Sequence, residues 1–306
     1  MLQGIQPTNS HRQDSVTKQK LWLAAIKPPM YSVAIIPITT GTAVAAYETG
    51  TMHWIVFANF LISAILILVW ENLSNDVFDS ETGIDKNKAH SIVNLTGNKR
   101  LIFWIGNTCL ALGILGVLGI SWWQQDCVVV GGIALCCFLG YTYQGPPFRF
   151  GYQGWGEIIC FVCFGPLAVS AAYYSQAKTV SWTALLASMI VGIVTSLVLF
   201  CSHFHQVEDD IAAGKRSPIV RLGTALAANL LPWVCGSIYV LVLLWIALDI
   251  FPVRTSLVLT SLPVAIKLCT WVMQHHDRPE LVNNSKFIAV GLHFWSGVCL
   301  GLGFIL

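Results

Sequence analysis

Long apolar segments alternate with short polar connections along almost the whole of this chain. A helix needs about 20 apolar residues to cross a membrane core of about 30 Å, and nine segments approach that length. Backbone groups in lipid have no water to bond with, so such segments form helices. The pattern therefore predicts an all-α membrane protein with nine transmembrane helices. The predicted spans are residues 30–47, 54–74, 101–123, 127–143, 157–174, 182–205, 229–248, 255–273 and 287–306.

Composition agrees with this class. The 306 residues are 55% hydrophobic and 10% charged, whereas globular domains contain about 25% charged residues. The net charge of +2 does not indicate a nucleic-acid partner. Residues 1–20 are polar and lack the apolar segment of a signal peptide. We therefore predict a polar tail at 1–20 and one membrane domain at 21–306, surrounded by the lipid bilayer.

Lysine and arginine are distributed unevenly along the chain. Fourteen of the seventeen lie in the N-terminal segment or in the connections that follow even-numbered spans. The other connections contain only Lys178 and Arg254, and Lys267 lies inside a span. Because basic residues favour the cytoplasmic side of a membrane, the N-terminus and the even-numbered connections are predicted to be cytoplasmic. The membrane would be a plasma, inner or thylakoid membrane.

A short polar pattern occurs twice, each time after a long apolar segment. Each copy has an amide, a carboxylate four residues later and a glycine four residues after that. The first copy is Asn75, Asp79 and Gly83, and the second, 131 residues later, is Gln206, Asp210 and Gly214. Residues four apart share a helix face, and glycine can end a helix in the left-handed conformation. The spacing predicts a duplicated unit with two acidic helix ends opposite each other.

The acidic residues concentrate in these two motifs. Eight of the fifteen Asp and Glu lie within residues 71–85 and 203–210, and His203, Gln206 and Asp210 are predicted to share a helix face. Carboxylates at a helix C-terminus oppose the helix dipole, so they indicate a bound cation, and oxygen ligands favour Mg²⁺. The alternative is an ordinary solvated helix end. The candidate metal ligands are Asn75, Asp76, Asp79, Gln206, Glu208 and Asp210.

Basic residues lie beside the acidic motifs on the same predicted face. Carboxylates together with many cations suit a diphosphate bridged by magnesium, because basic side chains bind the remaining phosphate oxygens. The alternative, that these cations only set topology, is sufficient for about half of the basic residues on this face. The candidate diphosphate ligands are Lys27, Lys86, Lys88, Arg149, Lys215 and Arg221.

Two tyrosines, Tyr141 and Tyr143, end the fourth predicted span near this face. Aromatic rings can stabilise a carbocation, so both are candidate catalytic residues together with Asp79 and Asp210. The alternative is that they are interfacial tyrosines of a membrane helix.

At this point the motifs resemble a known family. Asn75-Asp-x-x-Asp79, with Asp210-x-x-x-Gly-Lys215 on a nine-span chain, is similar to the UbiA-type intramembrane prenyltransferases. Within it, Lys27-Pro-Pro-Met-Tyr-Ser32 and Gly214-Lys-Arg-Ser-Pro218 resemble the dihydroxynaphthoate prenyltransferases, especially the cyanobacterial and plastid branch that uses phytyl diphosphate. The second motif departs from many relatives, because Gln206 stands where they have aspartate. Glu208 could compensate for the missing charge.

The resemblance implies a ring of helices around a central cavity, capped at the cytoplasmic face. Two Mg²⁺ would lie between the motifs and the diphosphate, and a prenyl group would pass to 1,4-dihydroxy-2-naphthoate with loss of CO₂, in phylloquinone or menaquinone biosynthesis. Homogentisate and chlorophyllide remain open as acceptors. A divalent-cation channel or transporter is a further alternative, but it predicts acids throughout the membrane depth, whereas these cluster at one face.

Overall fold

The computed structural model describes residues 28–84 and 91–306, and every regular element in these ranges is helical. Lys27, Lys86 and Lys88, three of the predicted diphosphate ligands, lie outside the described residues. The α-helices are α1 (Ser32–Thr49), α2 (Trp54–Thr82), α3 (Ile92–Thr96), α4 (Lys99–Gln124), α5 (Val128–Gln144), α6 (Gly156–Val162), α7 (Ala168–Ala177), α8 (Trp182–His203), α9 (Val207–Ala212), α10 (Pro218–Leu222), α11 (Thr224–Ala247), α12 (Leu262–His275), α13 (Pro279–Val282) and α14 (Ser285–Ile305). Shorter turns are a 3₁₀-helix at Pro28–Tyr31, a π-helix at Cys163–Leu167 and a 3₁₀-helix at Val253–Ser261.

Eight helical stretches in the described part of the chain are long and apolar enough to cross a membrane. They are Pro29–Thr49, Trp54–Thr82, Lys99–Gln124, Gly156–Ala177, Trp182–His203, Thr224–Ala247, Val253–His275 and Pro279–Ile305. The remaining apolar helix, α5, has 17 residues, slightly fewer than the roughly 20 that a span needs. The all-α membrane class is confirmed, whereas the ninth span stays a prediction.

The first motif lies on a continuation of the second predicted span. That span was predicted to end at residue 74, but α2 continues for 29 residues to Thr82. At 1.5 Å per residue α2 is roughly 43 Å long, which exceeds a hydrocarbon core of about 30 Å. The predicted glycine cap is confirmed, because Gly83 has φ 77° and its N–H donates to the Asp79 carbonyl at 3.1 Å. Helix α2 is therefore long enough for its acidic end to lie beyond the apolar core of a membrane.

The fifth span contains a π-helical turn around Pro166. Proline has no N–H and its ring crowds the carbonyl four residues earlier, and a π-turn relieves that crowding. The turn also brings α8 close. A Cβ at Gly165 would lie 2.6 Å from the Ser188 carbonyl oxygen and 2.9 Å from the Cα of Gly192. Two glycines therefore allow the backbones of this span and α8 to approach closely.

Three helices form the most buried part of the bundle, namely α1, α8 and α14. Helix α1 packs against α2, α7, α8 and α14, so it lies between α2, which carries the first motif, and α8, which directly precedes the second. All ten cysteines, which lie in the described part of the chain, are free thiols. This arrangement leaves a cavity beside α1, which residues from both motifs help to line.

Candidate active site

A cavity of about 530 Å³ lies among α1, α2, α5, α6, α7, α8 and α14. Most of its wall is apolar, which suits a hydrocarbon chain rather than an ion path. The apolar wall includes Met30, Val33, Pro37, Ile38, Ile67, Leu68, Phe164, Val198, Leu199 and Val290. The central cavity expected from the family resemblance is therefore present.

Apart from Thr195, which lies within α8, the polar lining residues gather towards the end of the cavity where α2, α5 and α8 finish and α6 and α14 begin. They are Glu71, Asn72, Asn75, Tyr143, Ser202, His205, Gln206, Asn283 and Lys286. Asn75 and Gln206 hold equivalent positions in the two motifs, so both copies reach the same cavity. Lys286 is the one lysine or arginine among the described lining residues. A ligand with an apolar tail and a polar head fits this division of the wall.

The two aspartates of the first motif have different surroundings. The Asp79 carboxylate accepts hydrogen bonds from the Tyr152 hydroxyl at 3.1 Å and from Gln144 Nε2 at 3.3 Å. Asp76 is buried, and its Oδ2 accepts from the backbone N–H of Ile92 at 2.9 Å. That bond holds the first turn of α3 against α2. Asp76 thus has a structural contact of its own, while its predicted role as a metal ligand stays a prediction.

The second motif is not the continuous helix end that the spacing suggested. Helix α8 ends at His203, whose Nδ1 lies 3.1 Å from Glu157 Oε1, and the next residue, Phe204, is fully buried. The chain leaves the helix at these two anchored side chains, and Gln206 becomes the N-cap residue of the separate short helix α9. The prediction of one helix face for His203, Gln206 and Asp210 is therefore wrong.

The break in the chain also changes the electrostatic argument for the second motif. Glu208, Asp209 and Asp210 lie in the first turn of α9 rather than at the C-terminus of α8. The helix dipole opposes carboxylates at a C-terminus but not in a first turn. The acidic residues of α9 still lie on two different faces of that helix, because Glu208 and Asp209 are exposed and Asp210 is 0% exposed. Gly214 has φ 74°, as the predicted left-handed glycine requires.

Asp210 and Lys215 form a buried ion pair. The Lys215 Nζ lies 3.5 Å from Asp210 Oδ1, and the two side chains are 6% and 0% exposed. Neither carboxylate oxygen of Asp210 has a hydrogen-bond partner among the described residues. Buried polar atoms nearly always have a hydrogen-bond partner. The two Asp210 oxygens are therefore suited to binding a cation that prefers oxygen ligands.

The donor set fits magnesium better than a transition metal. The described residues contain no group of three or more His, Cys, Asp or Glu side chains able to hold a metal ion. Magnesium keeps several water ligands and commonly binds through one or two carboxylates plus phosphate oxygens. Asp79 and Asp210, with the amides of Asn75 and Gln206, have the chemistry for that kind of shared site.

Like Lys215, the other two predicted diphosphate ligands among the described residues already have partners. Arg149 lies 3.6 Å from Glu81, which also pairs with Lys99. Arg221 donates through Nε to the carbonyl of Arg216 at 3.0 Å and through Nη2 to the carbonyl of Gln153. These bonds tie the connection between α5 and α6 to the second motif, so Arg221 stabilises the loop in addition to any contact with phosphate.

The predicted catalytic tyrosines differ in position. Tyr143 is buried and lines the cavity, and a Cβ at Gly151 or Gly156 would lie within 2.9 Å of its ring. Tyr141 donates its hydroxyl proton to the Pro146 carbonyl at 2.7 Å and packs edge-to-face on Phe78. Only Tyr143 of the pair belongs to the cavity wall. Tyr141 resembles the interfacial alternative.

Tyr152 is a site residue that the sequence patterns did not identify. Its hydroxyl contacts Asp79 and Thr82, its carbonyl accepts from the Arg216 N–H at 2.7 Å, and Lys215 Nζ lies 6.0 Å from its ring centroid. Burial and the nearby Asp79 carboxylate raise the pKa of the Tyr152 phenol, so it stays protonated and able to donate. A lone tyrosine in a loop has no periodicity or spacing that would reveal such contacts.

Comparisons with known proteins identify the family of this chain. The model of the UbiA prenyltransferase family matches residues 34–298. A Synechocystis 2-carboxy-1,4-naphthoquinone phytyltransferase is 57% identical over 94% of this chain and 93% of its own length. The chloroplastic enzyme of that name from Arabidopsis thaliana is 40% identical over 97% of this chain and 80% of its own length.

The fold is shared with a solved structure of much lower sequence identity. A UbiA homolog from Archaeoglobus fulgidus, bound to GPP and Mg²⁺, superposes with a TM-score of 0.57 at 14% identity. The match covers 92% of this chain and 99% of that one. At this identity the likeness concerns the arrangement of helices alone.

Proposed function

Because the chain belongs to the UbiA prenyltransferase family, we propose that it transfers a phytyl group from phytyl diphosphate to 1,4-dihydroxy-2-naphthoate. Diphosphate and CO₂ leave, and the product enters quinone biosynthesis. The relatives named for phytyl transfer to a 2-carboxynaphthoquinone support this choice of substrates, since dihydroxynaphthoate is the reduced form of that quinone. The reduced ring is electron-rich, as a nucleophile must be.

The observation that carries the proposal is the cavity. Its apolar wall meets a polar end where Asn75 and Gln206, one from each motif, both contribute to the lining. A prenyl diphosphate has the same division into a long apolar tail and a charged head. We therefore place the tail along the apolar wall and the diphosphate between the two motifs.

A divalent cation fits between these motifs, and the family resemblance implies magnesium. Asn75, Asp79, Gln206 and Asp210 would hold it, with Asp76 and Glu208 as further candidates. When bound, magnesium supplies positive charge that neutralises the diphosphate leaving group. Glu208 is exposed, and Asp76 bonds to Ile92, so we rank these two behind the other four.

The chain's own residues contribute charge, orientation and exclusion of water. Lys215 adds a positive charge beside Asp210, and Lys286 gives the cavity a cation that can pair with the acceptor carboxylate or a phosphate oxygen. The ring of Tyr143 can stabilise positive charge on the allylic carbon as its bond to oxygen breaks. The apolar wall keeps water from capturing that carbon.

The acceptor then forms its new bond at the carbon that bears the carboxyl group. The ring supplies the electron pair, and the allylic carbon loses its bond to diphosphate. That ring position has no proton to release, so aromaticity returns when the C–CO₂ bond breaks and its electrons return to the ring. The organic product therefore keeps both hydroxyl groups and lacks the carboxylate.

We expect membranes containing this protein to convert dihydroxynaphthoate to a decarboxylated, prenylated product, with phytyl diphosphate preferred over geranylgeranyl and solanesyl diphosphates. EDTA should stop the reaction and excess Mg²⁺ should restore it. Homogentisate should be a poor acceptor. Mass spectrometry of the products measures the donor preference, the effect of EDTA and Mg²⁺, and the acceptor preference. A product that retains the carboxylate, or a preference for homogentisate, would contradict the naphthoate assignment without contradicting prenyl transfer.

We propose that the polar end of the cavity faces the cytoplasm, as the lysine and arginine distribution predicts. A cysteine replacing exposed Arg216, in a protein without native thiols, should react only with a reagent on the cytoplasmic side. A cysteine replacing exposed Thr179, at the opposite end of the bundle, should react only from the other side. The reverse labelling pattern would show the opposite topology, with the site on the other side of the membrane.

A further inference from the structure

Tyr152 contacts the first motif through its hydroxyl group. The phenol oxygen lies 3.1 Å from Asp79 Oδ1 and 2.6 Å from Thr82 Oγ1. Tyrosine has one hydroxyl proton, and an ionised carboxylate can only accept. The Tyr152 proton therefore goes to Asp79, and the Thr82 hydroxyl can donate to the tyrosine oxygen or, at 3.0 Å, to the Asp79 backbone carbonyl. The result is a short chain of hydrogen bonds that ends on the carboxylate.

The same residue contacts the second motif through its ring and its backbone. Lys215 Nζ lies 6.0 Å from the ring centroid, within reach of a cation–π interaction. The Tyr152 carbonyl accepts from the N–H of Arg216, the next residue along, at 2.7 Å. Lys215 is also the ion-pair partner of Asp210. One side chain thus lies between the carboxylates of the two motifs.

The loop that carries Tyr152 is held in place independently of its hydroxyl group. The N–H of Phe150 donates to the Thr142 carbonyl at 2.9 Å, and that of Gly151 to the Tyr143 carbonyl at 2.8 Å. The guanidinium of Arg221 bonds to the carbonyl of Gln153. Removing only the phenol oxygen should therefore leave the loop in place, which makes the hydroxyl's role measurable.

We propose that Tyr152 is a positioning residue, which holds the Asp79 carboxylate in a fixed orientation relative to the Lys215–Asp210 pair so that both motifs bind one cation–diphosphate head. At 3.1 Å the bond from Tyr152 to Asp79 is longer than a typical hydroxyl-to-carboxylate bond, but the charged acceptor still strengthens it. Outer-shell partners of this kind orient metal ligands. Tyr152 itself does not contact the substrate. The inference rests on the proposed function, since it needs a cation between the motifs.

The test measures cation binding directly. Mn²⁺, as a probe for Mg²⁺, is titrated into detergent-solubilised protein with and without inorganic diphosphate, and electron paramagnetic resonance reports the free ion. Tyr152→Phe should weaken Mn²⁺ binding about tenfold, the lower end of outer-shell effects. The Mg²⁺ concentration for half-maximal activity should rise by a similar factor, with KM for dihydroxynaphthoate unchanged. Thr82→Val should act in the same direction, but less.

Tyr174→Phe is the matched control. Tyr174 donates to Asp126 at 2.6 Å, so this pair is chemically equivalent but lies at the other end of the bundle. The control should bind Mn²⁺ as the unmodified protein does. If Tyr152→Phe lowered only the melting temperature and kept full Mn²⁺ affinity, the role would be structural and the inference overturned. If the unmodified protein bound no Mn²⁺ even with diphosphate, that result would contradict the proposed metal site itself, and the role of Tyr152 would fall with it.

Discussion

Replacing Asp79 or Asp210 by asparagine is expected to remove turnover almost completely. Each aspartate lies four residues before a left-handed glycine and, in the proposed site, binds the cation that neutralises the diphosphate. Because outer-shell partners already contribute about 10–100-fold, direct ligands should contribute more. The measurement is the initial rate with saturating Mg²⁺, and the thermal midpoint in detergent checks that the variants fold. Either variant retaining more than about a tenth of the activity would contradict the paired-metal site.

Asp209→Asn is the control for this pair of substitutions. Asp209 lies beside Asp210 in α9, but its side chain is exposed, whereas that of Asp210 is buried. The corresponding position in the first motif is Phe78, so Asp209 has no equivalent carboxylate there. Its replacement should reduce activity far less. Equal losses for Asp209→Asn and Asp210→Asn would contradict the distinction between the two faces.

Asp79→Asn and Asp210→Asn are expected to change the melting temperature by different amounts. If both motifs were helix C-termini, loss of either carboxylate could stabilise the protein slightly. That expectation is wrong for Asp210, because it lies in a first helical turn and pairs with Lys215, which is 6% exposed. Asp210→Asn leaves the lysine buried without its counter-charge, so this variant should melt below Asp79→Asn.

Lys215→Met is expected to produce the largest loss of stability among the site variants. It leaves the Asp210 carboxylate, which is 0% exposed, without its positive partner. Removing one member of a buried ion pair costs about 3–5 kcal/mol. The double variant Asp210→Asn/Lys215→Met removes both charges and should regain most of the lost stability, while activity stays absent. Thermal unfolding in detergent and the initial rate separate the two effects.

Lys99→Met provides the matched comparison for Lys215→Met. Lys99 also pairs with a carboxylate, Glu81, at 2.6 Å, but the two side chains are 45% and 36% exposed. Exposed pairs contribute about 0–1 kcal/mol, so its loss should scarcely change the melting temperature. If Lys215→Met and Lys99→Met melted alike, the buried pair would not contribute to stability as proposed. A double variant no more stable than Lys215→Met would contradict that contribution as well.

The sequence by itself determined the class of the molecule and the positions of its motifs. Apolar segment length and backbone hydrogen bonding leave helices as the structure in lipid, so the spans followed from counting. The left-handed conformation of the two motif glycines was also predictable, because glycine adopts it readily at helix ends. Gly83 and Gly214 both have positive φ. These are local properties, decided within one or two helical turns.

Only the tertiary structure decided which side chains of the motifs face one another. The break after His203 occurs without proline or glycine, at side chains anchored by Glu157 and by burial of Phe204, so no local signal marks it. The burial of the Lys215–Asp210 pair and the bridge through Tyr152 both depend on segments that are distant along the chain. Sequence spacing describes neighbours along one helix. Contacts between helices and loops depend on packing of the whole bundle, and that packing set the geometry of the site.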